Sequence, residues 1–374
     1  MSQIFNSTMP ISVRETYGEF SQVDFLVQLK ANAIQQNSFR INGKLKVFKD
    51  GITIPATIND GIFFNAFSGV SSLINIASVS VNSTQTIENI ASFGRLAGMK
   101  KQAKYTLPQL SASSLASLEL CGNLNNRLLL GEVGEDGYVS FSLAIDNCLN
   151  NMMGGIIHPS KVQELRLMLT LESGLNAFHI NKTDSTAISV NYLLKDLMLT
   201  WTEVPAPAQA ESIGIISYFL TQQSIVSKVS NLNIMTGSNP ADSLSITFIK
   251  QKNKSSARKD ANLCEYLGQV ERVEFEMNSN SSVNMYPLES ESDIALNYYR
   301  SFQQPTSKMT KNSITSLATN GTCAYGIGIQ YPESQGDKLT MSITIKDDAI
   351  VENDPSGTGD AIDAYAYTNS LITL

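Results

Sequence analysis

Histidine is scarce in this chain of 374 residues, which contains only His158 and His179. Hydrolases and most metal centres depend on histidine, so its scarcity argues against both classes. His158 precedes Pro159 at the end of a predicted loop, and we expect structural roles for both histidines. Gly326-Ile327-Gly328 lies inside a strand pattern, so a close approach of backbone or a bulge explains it better than a dinucleotide-binding loop. The sequence contains no G-x-S-x-G motif, no phosphate-binding loop and no H-E-x-x-H motif. We therefore predict no catalytic residues, no cofactor and no metal ligands.

Charge is also sparse, because charged residues make up 16% of the chain against roughly 25% in typical globular proteins. The net charge is -7, with 27 Lys and Arg against 34 Asp and Glu, and the chain has no basic tail. Phosphate neutralisation requires clustered basic residues, so we expect no sequence-specific binding of nucleic acid. A weakly charged polar surface favours packing against copies of itself, because few charges lose water when two faces meet.

Signals for export and for membrane insertion are missing as well. The first residues have neither a charged n-region nor an apolar h-region, and no apolar stretch approaches the ~20 residues that span a bilayer. We expect synthesis and folding in a cytoplasm. The four cysteines match no metal-binding spacing, so we expect buried free thiols rather than disulfides. They are Cys121, Cys148, Cys264 and Cys323.

Alternating apolar and polar residues are the dominant pattern, and they predict β-strands with one buried face. The strongest runs are 165–171, with leucine at every second position, and 339–345. Lys49-Asp50-Gly51 predicts a turn after one of the strands. The other predicted strands cover residues 39–47, 74–81, 139–145, 193–201, 213–220, 244–249, 270–277, 325–329 and 364–374.

Two segments change to helical spacing. Residues 87–97 place apolar side chains on one helical face. Ile294, Tyr298 and Phe302 do the same in a second segment, which Pro305 ends. The loops predicted between strands include residues 150–155 and the basic stretch from Lys250 to Lys259.

The chain repeats one β-rich pattern twice. Residues 79–83 and 275–279 occupy equivalent places, since each ends a strand and precedes a helical run. The segment 205–208, Pro-Ala-Pro-Ala, separates the two copies, because proline cannot donate to a sheet ladder. We predict an N-terminal arm over 1–20, a first domain over 21–204, a linker over 205–208 and a second domain over 209–374. The arm lacks periodicity, so we expect it to be loose or ordered only against a neighbour.

Several segments carry a resemblance to a known family. They are residues 39–45, 270–275, 297–302, 325–329 and the aromatic strand at 365–367. With these segments the chain resembles the double jelly-roll major capsid proteins of tailless icosahedral DNA viruses, the adenovirus-like, virophage and polinton-like lineage. The resemblance implies an all-β fold of two tandem eight-stranded jelly-roll sandwiches, with short helices in the connections.

The resemblance also implies a function. Members of the family are structural proteins, so the chain is expected to be a non-enzymatic virion component that assembles in the host cell. It implies homotrimers that form pseudo-hexagonal capsomers of an icosahedral shell around a DNA genome. Neighbouring capsomers, penton proteins and minor capsid proteins are the implied partners, and a membrane beneath the shell is left open.

Other interpretations of local features stay open at this stage. The segment from Asp354 to Asp360 spaces oxygen ligands like a calcium loop, but Tyr365 stands where such a loop needs a bidentate acid. A polar hairpin loop is the alternative. The basic stretch from Lys250 to Lys259 suits a solvated loop or contact with nucleic acid or anionic lipid.

The competing class of function is a tandem β-sandwich that binds carbohydrate or acts as an adhesin. The single tryptophan, Trp201, stands at a predicted strand end, and the sequence shows no aromatic platform. A tandem-sandwich hydrolase is the third class, and it would depend on His158 or His179.

Overall fold

The fold is described from a computed structural model of the chain. The structure describes residues 3–53, 62–65, 68–104, 136–150, 152–153, 156–181, 189–225, 227, 229–235, 243–250, 258–259, 261, 270–277, 280–286, 297–298, 300–302, 326–330, 338–345 and 362–373.

Strands account for most of the described residues. Those before residue 206 are β1 (Ile4–Thr8), β2 (Gln22–Gln28), β3 (Asn32–Gln35), β4 (Arg40–Lys49), β5 (Ile52–Thr53), β6 (Ile62–Phe63), β7 (Ile74–Val81), β8 (Gln85–Ile90), β9 (Val139–Ala144), β10 (Met152–Met153), β11 (Ile156–Ile157), β12 (Glu164–Leu171), β13 (His179–Asn181) and β14 (Val190–Pro205). Those after it are β15 (Gly214–Ile225), β16 (Val229–Met235), β17 (Ser243–Lys250), β18 (Arg258–Lys259), β19 (Val270–Met277), β20 (Asn280–Tyr286), β21 (Ile327–Gln330), β22 (Lys338–Ile345) and β23 (Ile362–Thr373).

Helices are short and lie in the connections. Among the described residues they are α1 (Phe93–Lys104), α2 (Gly174–Ala177), and two 3₁₀ turns at Gly69–Leu73 and Cys148–Asn150. Residues 297–298 and 300–301 are also helical. The second predicted helix is confirmed where it is described, whereas Ile294 and Pro305 lie outside the described residues.

The first half of the chain forms two antiparallel sheets that face each other. One has the order β1-β14-β4-β9, with β3, β5 and β11 at its margins, and the other has the order β2-β12-β7-β8. Side chains from both sheets, such as Phe25 and Leu169 from one and Ile41 and Leu194 from the other, surround a void of about 20 Å³. A void this small indicates a core packed to ordinary protein density.

The second half repeats the same strand order. Its sheets run β15-β23-β17-β21 and β16-β22-β19-β20. If the eight main strands of each half are numbered along the chain, both halves read 1-8-3-6 and 2-7-4-5. This is the strand order of a jelly roll, with two interlocked Greek keys. The predicted pair of eight-stranded jelly rolls is confirmed, and the halves are called the first and second roll below.

The strand predictions are also confirmed in detail. Buried and half-buried residues alternate along β4, as its period-two sequence requires. The turn after β4 places Asp50 at φ 52 and Gly51 at φ 79, the left-handed pair of a type I′ hairpin.

The predicted helix at residues 87–97 is wrong over its first half. Residues up to Ile90 belong to β8, which pairs with β7. Asn82 and Ser83 both have positive φ and turn the chain back on itself, and Ser92, also at positive φ, separates the strand from α1. A register shift in the β7-β8 pair interrupts the alternation of buried side chains in β8. The spacing of its apolar residues therefore imitates a helix.

The expectation that the arm is loose or ordered only against a neighbour is wrong for its described residues, 3–20. β1 pairs with residues 199–203 of β14 in the same chain. Tyr17 is buried, bridges to Leu194, and donates its hydroxyl to the Ser12 carbonyl at 2.6 Å. The sequence of β1 does not alternate because no residue of that strand is fully buried. The predicted loop at 150–155 needs a similar correction, because β10 within it pairs with β15.

Candidate functional site at the joint between the rolls

Helix α1 lies between the two rolls and is buried over most of its length. Every residue from Phe93 to Lys101 is buried, including Arg95, Lys100 and Lys101. Basic side chains are almost never fully buried without partners, since burial removes their water. The first roll contacts α1 through the 3₁₀ turn at 69–73 and through β7. Strands β15 and β23 of the second roll supply aromatic partners on the other side.

Arg95 anchors α1 to the second roll. Its guanidinium carbon lies 4.0 Å from the centre of the Tyr365 ring, and it donates a hydrogen bond to the Ala261 carbonyl. The Tyr367 hydroxyl donates to the Ser92 carbonyl, just before the helix, at 3.1 Å. Cation–π contacts strengthen when water is excluded, so the buried position of Arg95 favours a firm attachment.

Glu88 receives hydrogen bonds from both rolls. The backbone N–H of Cys148 donates to one carboxylate oxygen at 2.7 Å, and the backbone N–H of Tyr218 donates to the other at 3.0 Å. Burial raises the pKa of Glu88 above its ordinary value of 4.5, while these two N–H groups and the charge of Lys100 oppose that rise. The carboxylate thus joins residues of the first and second rolls.

The two buried lysines complete this cluster. Lys100 Nζ donates to the Asp146 carbonyl at 2.6 Å and lies 4.9 Å from the centre of the Tyr218 ring. Lys101 Nζ donates to Ser71 Oγ at 2.8 Å and lies 4.0 Å from the Asp146 carboxylate. Each ammonium therefore has oxygen or aromatic partners in place of the water it loses.

The edges of two sheets meet beside this cluster. Ser217 on β15 donates its hydroxyl to the Ile87 carbonyl on β8 at 3.0 Å. Further contacts between the halves come from two short strand pairs, β10 with β15 and β13 with β18. Side chains and short ladders thus fix the two rolls to each other at several separated points.

A polar cavity of about 120 Å³ lies at the same joint. Its lining includes Ser92 and Arg95 near α1, Glu172 and Asn176 of the first roll, and Tyr365 of the second. A space of this size holds about four water molecules. The polar lining suits water that bridges the rolls.

The glycines of the segment 326–328 have a packing role. A Cβ at Gly328 would lie 2.5 Å from Tyr298 Cα, and one at Gly326 would lie 2.1 Å from the Ile246 carbonyl oxygen. Ser301 Oγ lies 2.7 Å from Ser245 Oγ and donates to the Tyr298 carbonyl at 2.7 Å. The predicted close approach of backbone is confirmed, because the helical segment lies against Gly328 and the Ile246 carbonyl of β17 lies against Gly326.

The two histidines considered as candidate functional residues belong to different parts of the fold. The His158 ring contacts Ser160 Oγ at 2.7 Å and the Pro207 carbonyl at 3.0 Å, so it ties the segment 205–208 to the first roll. His179 is half-buried in β13. Within the described ranges, no group of three His, Cys, Asp or Glu side chains could hold a metal ion.

Other sequence predictions have mixed outcomes. Cys148 is a buried free thiol, and burial followed by the charge of Glu88 raises its pKa well above the ordinary value. Part of the basic stretch is not a loop, because Arg258 and Lys259 form β18 against β13. The remaining cysteines, the segment from Asp354 to Asp360, and residues 251–257 lie outside the described residues.

Trp201 is not part of an exposed platform. It is buried, its ring stacks on Phe39 with centroids 6.5 Å apart, and its indole N–H donates to Glu203 at 3.0 Å. Sequence reasoning missed the buried cations of α1. The available signal was the placement of Arg95, Lys100 and Lys101 within a helix that has no Asp or Glu to pair with them.

No helix in the described ranges has the length and apolar character needed to cross a membrane. No protein-family model matches the chain, and no curated protein matches it in sequence.

Solved structures match over the whole chain. The major capsid protein of Faustovirus has a TM-score of 0.64 at 8% identity and covers 100% of this chain and 90% of its own. PBCV-1 VP54, fitted into a reconstruction of the virophage Sputnik, has a TM-score of 0.58 at 13% identity. The match covers 100% of this chain and 95% of VP54. The mavirus major capsid protein has a TM-score of 0.55 at 11% identity, and the match covers 99% of this chain and 90% of the mavirus protein. The chain thus has the double jelly-roll fold of viral major capsid proteins, and the resemblance inferred from the sequence is confirmed at the level of the fold.

Proposed function

We propose that this chain is the major capsid protein of a tailless icosahedral DNA virus. In this proposal it is a non-enzymatic subunit that forms homotrimers, and each trimer is a pseudo-hexagonal capsomer of the shell around the genome. The observation that carries the proposal is the pair of jelly rolls with identical strand order, joined through the buried cluster around α1. The fold shared with viral major capsid proteins supports it.

The duplicated fold offers a physical route to sixfold packing. Two similar rolls in one chain present similar flanks, so three chains place six rolls around a threefold axis. The joint between the rolls then repeats, inside each chain, the kind of contact needed between chains. We expect a large and obligate trimer interface, above ~2,000 Å². The low charge of the chain, 16% of residues, lowers the cost of burying such faces.

The division of the chain is part of the proposal. We place the boundary between the rolls at residues 205–208, where β14 ends at Pro205 and His158 holds the Pro207 carbonyl. Residues 21–204 and 209–374 then form the two rolls, and β1, from the segment 1–20, adds the first strand of the first roll. The proposed location is the virion, after assembly in the host cell, with neighbouring capsomers, penton proteins and minor capsid proteins as partners.

Light scattering of the purified chain tests this function. The proposal predicts a particle of three times the chain mass of 40.8 kDa, stable on dilution. A stable monomer would contradict it, and glycan binding by that monomer would favour the carbohydrate-binding or adhesin alternative.

A further inference from the structure

The first residues of the chain carry several exposed apolar side chains. Residues 1–13 contain no charged side chain, and Arg14 is the first. Within 4–13, five large apolar side chains are exposed, among them Phe5 at 80% and Val13 at 71%. The others are Ile4, Met9 and Ile11. Contiguous apolar patches on a soluble surface mark interaction sites.

Two of these side chains, Ile4 and Phe5, belong to β1, which lies at the edge of its sheet in the described part of the chain. Among the described strands, β1 pairs with β14 alone, so its other edge presents unpaired N–H and C=O groups. Natural edge strands are usually protected by charges, proline or a covering segment. The sequence of β1, Ile-Phe-Asn-Ser-Thr, contains neither charge nor proline. An edge of this kind is suited to pairing with another chain.

A second sheet edge lacks a partner strand among the described residues of the second roll. In the part of the chain that the structure describes, β20 pairs only with β19 and ends the sheet β16-β22-β19-β20. Its counterpart in the first roll is β8, which ends the sheet β2-β12-β7-β8. The hairpins β7-β8 and β19-β20 also share a register shift at matching places, after Val79 and after Phe275. The two edges are therefore equivalent positions of the repeated fold.

The contact inside the chain shows what covers such an edge. The edge of β8 is covered by β15, through the hydrogen bonds of Ser217 and Tyr218 with Ile87 and Glu88. β15 is the first strand of the second roll, and its counterpart in the first roll is β1. Inside the chain, the fifth strand of the first roll, β8, is covered by the first strand of the second roll, β15. The equivalent strands of the other two edges are β20, the fifth strand of the second roll, and β1, the first strand of the first roll. These two strands do not pair with each other.

We propose that residues 4–13 of one copy dock on the β20 edge of a second copy and repeat the joint between the rolls. This inference rests on the proposed function and specifies its interface. The contact is heterologous, because the two copies contribute different surfaces. Three copies joined in this way close into a ring of six rolls, two from each copy. The apolar segment 4–13 is then buried in the ring.

A charge placed in this segment tests the proposal. Phe5→Asp puts a carboxylate into the segment 4–13 at its most exposed apolar residue, and Ile52→Asp is the matched control on another exposed apolar residue, at 73%. We expect Phe5→Asp to raise the dissociation constant of the assembly by on the order of tenfold or more, measured by sedimentation, whereas Ile52→Asp leaves it unchanged. The circular dichroism spectra of both variants should match that of the wild type, because neither side chain is buried and the fold of the chain should not change.

Hydrogen exchange identifies the partner surface. We expect the amides of β20 to be protected in the wild-type assembly and to exchange faster in Phe5→Asp. If the wild type assembles as a trimer but Phe5→Asp leaves assembly and β20 protection unchanged, this interface is wrong and the proposed function stands. If the wild type is a monomer, the proposed function itself fails.

Discussion

Glu88 lies where the two rolls meet, and its charge state affects their attachment. Its carboxylate accepts N–H groups from Cys148 in the first roll and Tyr218 in the second. Burial raises its pKa above 4.5. Between 4.5 and the raised value, the folded chain keeps a proton that the unfolded chain has released. The contribution of Glu88 to the free energy of unfolding therefore falls as the pH rises through that window.

Replacing Glu88 by Gln removes this titration. The Gln side chain keeps one acceptor oxygen for two N–H donors, so we expect a loss of about 1–3 kcal/mol in the free energy of unfolding at pH 4. The difference between wild type and variant should shrink as the pH rises, because only the wild type develops a buried charge. Urea unfolding at a series of pH values measures it, and a difference that widens with pH would refute this account of Glu88.

Gly328 illustrates a second constraint set by a single residue. A methyl group there would collide with Tyr298 Cα, while one at Gly18 would meet no atom closer than 3.7 Å. We expect Gly328→Ala to lower the free energy of unfolding by about 1–3 kcal/mol, and Gly18→Ala to have little effect. Thermal unfolding of the two variants decides this. Equal stability of the two would show that the helical segment is free to move away.

The contacts of individual residues were only partly predictable from the sequence. The close approach at Gly326 and Gly328 was predicted, because a glycine inside a strand usually marks a bulge or a place where another backbone lies close. The partners of Glu88 were not, since Cys148 and Tyr218 come from distant parts of the chain and meet only after both rolls have folded.

At the level of elements, α1 is a structural connector between the rolls. Its three buried cations are each held by oxygen atoms or aromatic rings, and Lys100 contributes a favourable charge to Glu88. Removing one member of a buried charged pair leaves the other without compensation. The helix should therefore be sensitive to changes that a surface helix tolerates.

A double-mutant cycle tests this role of α1. We expect Lys100→Met to cost about 1–3 kcal/mol in the free energy of unfolding, because the buried Asp146 carbonyl loses its charged donor. The combination with Glu88→Gln should cost less than the sum of the two single changes, by about 0.5–3 kcal/mol. The control is Lys44→Met, which breaks the exposed pair with Asp196 at 2.9 Å and should have little effect. Strict additivity of the first two changes would show that these groups do not interact.

The strands were more predictable than the helix beside them. Period-two sequences such as 165–171 predict β-strands because one face must be buried whichever sheet they join. In residues 87–90 the register shift interrupts that period, so β8 was mistaken for the start of α1. β1 was missed for another reason, since an edge strand without a fully buried residue needs no apolar alternation.

At the scale of the whole molecule, the repeated strand order gives the two rolls equivalent edges. One joint inside the chain and one equivalent joint between chains would give each roll two similar neighbours. The repeated strand and helix pattern predicted two tandem β-rich domains, and the family resemblance implied that each of them is a jelly roll. It did not predict how they are joined, because the contacts depend on the three-dimensional arrangement of both rolls.

Electron cryomicroscopy of the purified particle tests the assembly of three two-roll chains most directly. The expected image is a closed ring of six lobes built from three chains, with alternate lobes slightly different from their neighbours. Single particles of two lobes, or rings with another number of chains, would contradict the central claim.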